Sequence, residues 1–297
     1  MRVLFLGTAG GGGLPQWNCN CPYCNKARRE SIPRREESCI AISVDSDSWI
    51  LVDAPPVIGS LIAKYGVFSP SNVRGTSLRS LILTHTDINH MLGVFTFRGP
   101  TTHMDAYLTL YSTKITQTLI NDYFKAKSII KVKWYTLELN TWNRLEDMQG
   151  KELGLEVFPL SVPGKPPTYH WQEEEGTTVA LLIKSNEGKS VLYAPVVRII
   201  TEELKRIMDE SDCVIFDGTF WEEEELLKYD PKGKRAKEIG HITVVDSLDI
   251  LKECKARYKI YTHINNTNPL NDPTSREYMQ VLSSGVIVAY DGMELFI

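Results

Sequence analysis

Two stretches of the chain concentrate residue types that do chemistry. The first is Thr84-His85-Thr86-Asp87-Ile88-Asn89-His90. Imidazole nitrogens and carboxylates are the usual ligands of zinc and of non-haem iron, and here two histidines and an aspartate fall within six residues. His85, Asp87, Asn89 and His90 are therefore candidate ligands of a reactive metal. A site of this kind is completed from elsewhere in the chain. His263 stands at the end of a second apolar run, Lys259-Ile260-Tyr261-Thr262, and is the expected distant ligand. Asp217 ends a third, Val214-Ile215-Phe216, and His241 lies in Gly240-His241-Ile242. An aspartate that orients a histidine is a common proton-transferring pair, which makes Asp217 and His241 candidate catalytic residues.

The second stretch is Cys19-Asn20-Cys21-Pro22-Tyr23-Cys24, three thiols in six residues. This spacing lets three thiolates converge on one soft ion. Zinc takes four ligands in a tetrahedron, and a site closed in this way is structural. The fourth ligand must come from another part of the chain. Cys213 sits in an apolar strand pattern and reads as a small core residue. The preceding Gly10-Gly11-Gly12-Gly13 is not followed by Lys-Ser/Thr, which argues against a phosphate loop and for a segment passing close to other backbone.

Both stretches need elements to position them. Leu81-Ile82-Leu83 ends a strand that runs into Thr84, and residues 91–97 look helical, so the string leaves a strand end into one cavity. Strand-like runs rich in Val, Ile and aromatics recur at 3–7, 40–44, 49–52, 78–83, 107–111, 155–160, 178–183, 190–193, 213–216, 260–262 and 286–290. Helical patterns lie between them at 57–65, 114–125, 201–210, 244–258 and 275–282, the third opening with Thr201 as a cap and Glu202 and Glu203 in its first turn. This alternation argues for an α/β layered sandwich. Residues 69–76 and 163–176 read as loops, and the second is long enough to cover a site. No linker divides residues 1–297, so a single domain is expected.

The bulk numbers exclude some functions. With 33 basic against 37 acidic residues, no nucleic-acid partner is favoured. No apolar run reaches the length of a membrane span, and the apolar start at Met1 stops in glycines before it could form a signal-peptide core. A cytoplasmic location is expected, where clustered cysteines are more often metal ligands than disulfides. A homodimer is expected only because two-fold dimers are the commonest assembly.

The chain resembles the metallo-β-lactamase superfamily and, within it, the coenzyme PQQ synthesis protein B family. The resemblance runs over nearly the whole length. It is carried by Pro15-Gln16-Trp17-Asn18-Cys19-Asn20-Cys21, Tyr193-Ala194-Pro195, Asp217-Gly218-Thr219-Phe220-Trp221, Gly240-His241, His263-Ile264-Asn265-Asn266-Thr267-Asn268-Pro269 and Tyr290-Asp291-Gly292-Met293. The fold it implies is an αββα sandwich with metals at one edge of the paired sheets. The superfamily's string His-x-His-x-Asp-His becomes His85, Asp87, Asn89 and His90 here, so two of its four slots are altered, and its late histidine matches His263. Its bridging aspartate would fall near Ala194-Pro195 and its middle histidine near Ser161-Val162, where neither is present; His170 in the long loop is a candidate substitute for the latter. Two close divalent ions need a bridge and compensating charge. One ion on His90, His263 and a carboxylate, Asp87, is therefore expected, an arrangement used by non-haem iron oxygenases.

The family resemblance implies iron- and dioxygen-dependent hydroxylation of a tyrosine in a precursor peptide or a peptide-derived small molecule, with zinc as the other metal in question. A role in moving the cofactor or its precursor is a second implication for the family. The resemblance extends to the superfamily's phosphodiesterases, which also pair an acid with a histidine. One of these, the cyclic-phosphate enzyme of phosphonate metabolism, closes a cysteine cluster with the residue three positions after the late histidine, which is Asn266 here.

Overall fold

Strands form where the sequence offers continuous or alternating apolar runs, and the two patterns mark different places in the sheets. In the computed structural model, which describes residues 1–70, 73–98, 108–170 and 172–297, two seven-stranded sheets are present among the described residues. The strands are β1 (Arg2–Gly7), β2 (Cys39–Ser43), β3 (Trp49–Val52), β4 (Leu78–Ile82), β5 (Leu108–Ser112), β6 (Val132–Thr136), β7 (Asn143–Glu146), β8 (Glu152–Ser161), β9 (Val179–Ser185), β10 (Ser190–Ala194), β11 (Cys213–Asp217), β12 (Tyr258–Thr262), β13 (Ile287–Val288) and β14 (Glu294–Phe296). Sheet order is β14-β1-β2-β3-β4-β5-β6 in the first and β13-β12-β11-β10-β9-β8-β7 in the second. β2, β3, β10 and β11 are buried on both faces and read as unbroken apolar runs, whereas β8 nearer an edge alternates.

The inner faces of the sheets meet in one core: Phe5, Ile40, Val52 and Ile82 pack with Val157, Leu181, Tyr193 and Ile215. The outer face of the first sheet carries the helix Ile58–Lys64, and that of the second carries Glu202–Glu210 and Val244–Glu253. This is the expected αββα sandwich. Thr201 caps its helix by accepting the Leu204 N–H, with Glu202 and Glu203 in the first turn as expected.

The differences from expectation are local. The helix expected over 244–258 stops at Glu253, because Cys254 turns out of helical geometry (φ −56°, ψ 138°) and its thiol bonds the Met208 carbonyl. The strand at 286–290 shrinks to two residues. The helix expected at 91–97 is one α-turn, Ile88–Met91, followed by a 3₁₀ segment, Leu92–Phe97. Residue 107 of one expected strand, residues 71 and 72 of one expected loop and residue 171 of the other lie outside the described residues.

β3 to β6 run parallel, and so do β10 to β13. The C-terminal ends of such strands are where ligands bind in open α/β sheets. Asp53 follows β3, the 84–90 string follows β4, Asp217 closes β11 and His263 follows β12, so the sandwich delivers them to one edge. No described helix is long and apolar enough to cross a membrane.

Candidate metal centres

Three imidazoles stack at this edge. His90 and His263 lie 5.1 Å apart between ring centroids and 15° from parallel; His263 and His241 lie 5.3 Å apart and 24° from parallel. All three are buried. Each is held through Nδ1. His90 Nδ1–H donates to Asp53 Oδ2 at 2.9 Å, and His241 Nδ1–H donates to Asp217 Oδ2 at 2.7 Å. Thr219 Oγ1 donates to Asp217 Oδ1 (2.6 Å) and so accepts from His263 Nδ1–H (2.7 Å). Fixing the Nδ1 proton leaves the lone pair on Nε2 of every ring, the arrangement that presents histidine to a metal. Asn89 Nδ2 faces His263 Nε2 at 3.4 Å, and its amide needs only to turn over to bring an oxygen to the same place.

The supports are themselves fixed. Asp53 is fully buried and accepts the Thr84 N–H (2.8 Å) and hydroxyl. Asp217 also accepts the N–H groups of Val197 (2.8 Å) and Thr219 (3.0 Å). A carboxylate oxygen of Asp217 and ring nitrogens of His241 and His263 lie close enough to share an ion, all within 4.8 Å of one another. With four hydrogen bonds already made, however, Asp217 is a support under the rings and not a ligand. Asp53 and His263 adopt left-handed backbone (φ 64° and 59°), the kind of local strain that collects at functional sites. The glycine run passes over the edge as expected: a Cβ on Gly10 would lie 3.5 Å from the His263 ring, and one on Gly11 would lie 3.6 Å from the Asn89 amide.

Burial, reinforced by His90, His241 and His85, holds His263 well below the ordinary imidazole range, in the neutral form that binds metals. For His90 burial works in the same direction, but the Asp53 carboxylate beside it prevails and carries the ring upward.

Two members of the string take other partners. His85 accepts the Asp87 N–H at Nδ1 (3.1 Å) and donates from Nε2 to the Lys165 carbonyl (2.7 Å), so both of its nitrogens are spent on backbone. Burial, then His90, lowers it to about 4. Asp87 was expected as the carboxylate ligand. It turns instead to the loop over 163–176, where Oδ2 faces Lys165 Nζ (3.3 Å) and Oδ1 accepts the Thr168 hydroxyl (3.0 Å) and N–H (3.4 Å). Although burial opposes its charge, His85, Lys165 and Thr168 bring Asp87 down to about 2. His170 is no substitute ligand: it pairs with Glu174 (3.0 Å) and faces the Tyr123 hydroxyl, away from the rings. Ser161 accepts the Gly176 N–H, while Val162 and Ala194 are core residues, so among the described residues no donor fills the missing positions. Among the described residues the donor set fits one ion, on the Nε2 atoms, and not two.

Sequence reading missed Asp53, Thr219 and Lys165. Asp53 carries the same signal that marked Asp217, a carboxylate directly after a buried apolar run. Lys165 carries no such signal.

At the N-terminal cluster the three Sγ atoms of Cys19, Cys21 and Cys24 lie within 4.8 Å of one another. The Asn266 amide enters between them, with Nδ2 3.1 Å from Cys19, 3.4 Å from Cys24 and 3.7 Å from Cys21. Backbone N–H groups of Cys21 and Cys24 donate to the sulfurs of Cys19 and Cys21, each at 3.4 Å, as thiolates require. Burial, together with the neighbouring thiols, pushes the Cys21 thiol up to about 12, an unfavourable cluster that a divalent cation would reverse. Three sulfurs and the turned amide oxygen of Asn266 make four donors with no open position, which fits a structural zinc.

Residues 48–264 match the beta-lactamase superfamily domain. Coenzyme PQQ synthesis protein B of Nitrosococcus oceani is 32% identical over 100% of both chains, and that of Acinetobacter baumannii is 30% identical over 99% of each. Among solved structures, Zn²⁺-bound PqqB from Methylobacterium extorquens superposes with a TM-score of 0.90 at 31% identity over 100% of both chains. A diphosphatase of the PhnP family shares the fold at 19% identity, with a TM-score of 0.73 over 100% of this chain and 97% of its own.

Proposed function

Because the chain belongs to the coenzyme PQQ synthesis protein B family within the β-lactamase superfamily, we propose that it serves the biosynthesis of pyrroloquinoline quinone or a related peptide-derived cofactor as a metal-dependent oxygenase. Its substrate is a tyrosine of a precursor peptide, or a small molecule derived from that peptide, in the cytoplasm. The observation that carries this reading is the row of three imidazoles whose Nδ1 atoms are anchored and whose lone pairs are left on Nε2, at an edge where the described residues supply donors for one ion. A single imidazole-bound ion with free positions suits non-haem iron better than two-metal hydrolysis.

His90 and His263 hold the ion and Asn89 borders it. An iron bound there supplies the activation of dioxygen. In the net reaction an aromatic C–H becomes C–OH, and the second oxygen atom leaves as water with two electrons and two protons from an external reductant. His241, with Asp217 fixing its Nδ1–H, has Nε2 free to take up and return a proton at the substrate hydroxyl. The buried rings and the glycine run passing over them limit water at the edge. The cysteine cluster with Asn266 holds a structural zinc.

The test is to reconstitute the protein with ferrous iron, supply a tyrosine-containing precursor peptide, a reductant and labelled dioxygen, and weigh the product. Gain of one labelled oxygen atom is expected, and its loss in His241→Ala. Peptide bound but returned unchanged, with or without metal, would replace this reading by a carrier role.

A further inference from the structure

The loop after β8 brings one charged residue to the reactive edge, and three independent contacts fix it there. The Lys165 carbonyl accepts from His85 Nε2 at 2.7 Å. Its backbone lies against Gly240, the residue before His241: a Cβ at Gly240 would stand 2.4 Å from the Lys165 nitrogen and 2.3 Å from its Cβ. Gly240 also has φ +85°, so the close approach and the backbone both call for glycine. Its ammonium pairs with Asp87 at 3.3 Å, and Asp87 is in turn held by Thr168. Lys165 is thus anchored by His85 and Asp87 of the ligand string on one side and by Gly240, next to His241, on the other.

The chemistry of that placement is specific. His85 and Asp87 lie in the metal string, yet neither can receive a cation without releasing Lys165. Where those donors would face a metal ion, they face a backbone carbonyl and an ammonium. An ammonium has three donors, and among the described residues only Asp87 takes one. The side chain keeps 32% of its surface exposed, so the remaining N–H groups are open to a ligand. The surroundings decide which ligand. Asp53, Asp87 and Glu37 all act on His90, and a doubly charged anion would meet about twice the repulsion that a single carboxylate meets, which favours the carboxylate.

We propose that Lys165 takes the place of a second metal ion at this edge, as a fixed cation that receives a carboxylate group of the substrate beside the ion on His90 and His263. This rests on the reading of this edge as the reactive centre. A peptide-derived substrate would be held by its carboxylate while its ring faces the imidazoles.

The test uses metal-loaded full-length protein and calorimetric titration with 4-hydroxyphenylacetate and its neutral isostere 4-hydroxyphenylacetamide. The wild type is expected to prefer the carboxylate. In Lys165→Met the ratio of the two affinities should fall by about tenfold or more, the size of one charge-assisted hydrogen bond, while Lys165→Arg retains most of it. Absence of a carboxylate preference in the wild type overturns the proposal without any variant. An unchanged ratio in a folded Lys165→Met, judged by thermal melting, overturns it as well. Iron and zinc contents of the same preparations report on the metal reading separately, so a protein without iron that still loses its preference in Lys165→Met would refute the oxygenase and keep the role of Lys165.

Discussion

Replacing Asp53 by asparagine changes one proton at the reactive edge and little else. Asparagine is nearly isosteric and tolerates the left-handed backbone at this position. Its oxygen can keep the 2.8 Å bond from the Thr84 N–H, which leaves its NH₂ where Oδ2 now meets His90 Nδ1. A donor there forces His90 to accept at Nδ1 and to carry its proton on Nε2, the atom meant for the metal. Loss of such an orienting carboxylate typically costs 10–100-fold in metal affinity, which is about 1.4–3 kcal/mol. Competition with a coloured chelator should therefore show the reactive-edge ion bound about 10–100-fold more weakly in Asp53→Asn, with the cysteine-bound zinc unchanged. Nitrogen NMR of the metal-free protein should show the His90 tautomer inverted. Unaltered affinity, or loss of both metals together, would refute the tautomer argument.

Other consequences are as direct. Cys21→Ser should lose one zinc per chain and lower the melting temperature, since structural zinc contributes folding free energy; unchanged zinc content would show that the three sulfurs and Asn266 do not form the site. Glu225, bonded to Thr267 beside Asn266, gives a pH signature of its own. Burial pushes its carboxyl up to about 7 against the bonds from Thr267 and Trp221, so the folded state favours the protonated form. Its contribution is present in full below the ordinary value of 4.5 and is lost as pH rises through 7, a span worth about 3 kcal/mol. Glu225→Gln should remove that loss, melting higher than wild type at pH 8 and little differently at pH 5. Parallel melting curves for the two proteins across that range would contradict it.

Much of the site is legible in the sequence because a buried parallel strand announces its end. An apolar run that stops at His263, at Asp217 or before the 84–90 string places those residues at the sandwich edge, and the structure gathers them there. What spacing does not convey is the direction of a side chain. Asp87 caps a short helical turn and faces the loop, and His85 spends both nitrogens on backbone, although both stand in the expected slots. Lys165 and Thr219 matter through contacts made across the fold, so no local pattern marks them. The overlooked strands β6, β7 and β14 carry lysine, arginine and glutamate, and all three lie at sheet edges where charges discourage pairing with other chains.

The central claim is that one redox-capable ion sits on His90 and His263, apart from a structural zinc on the cysteines. Anaerobic purification followed by elemental analysis of wild type and His90→Ala tests it most directly. The account predicts one zinc and one iron per chain in the wild type, with the iron lost and the zinc kept in the variant. Zinc alone, at one per chain and unchanged by the substitution, would contradict it.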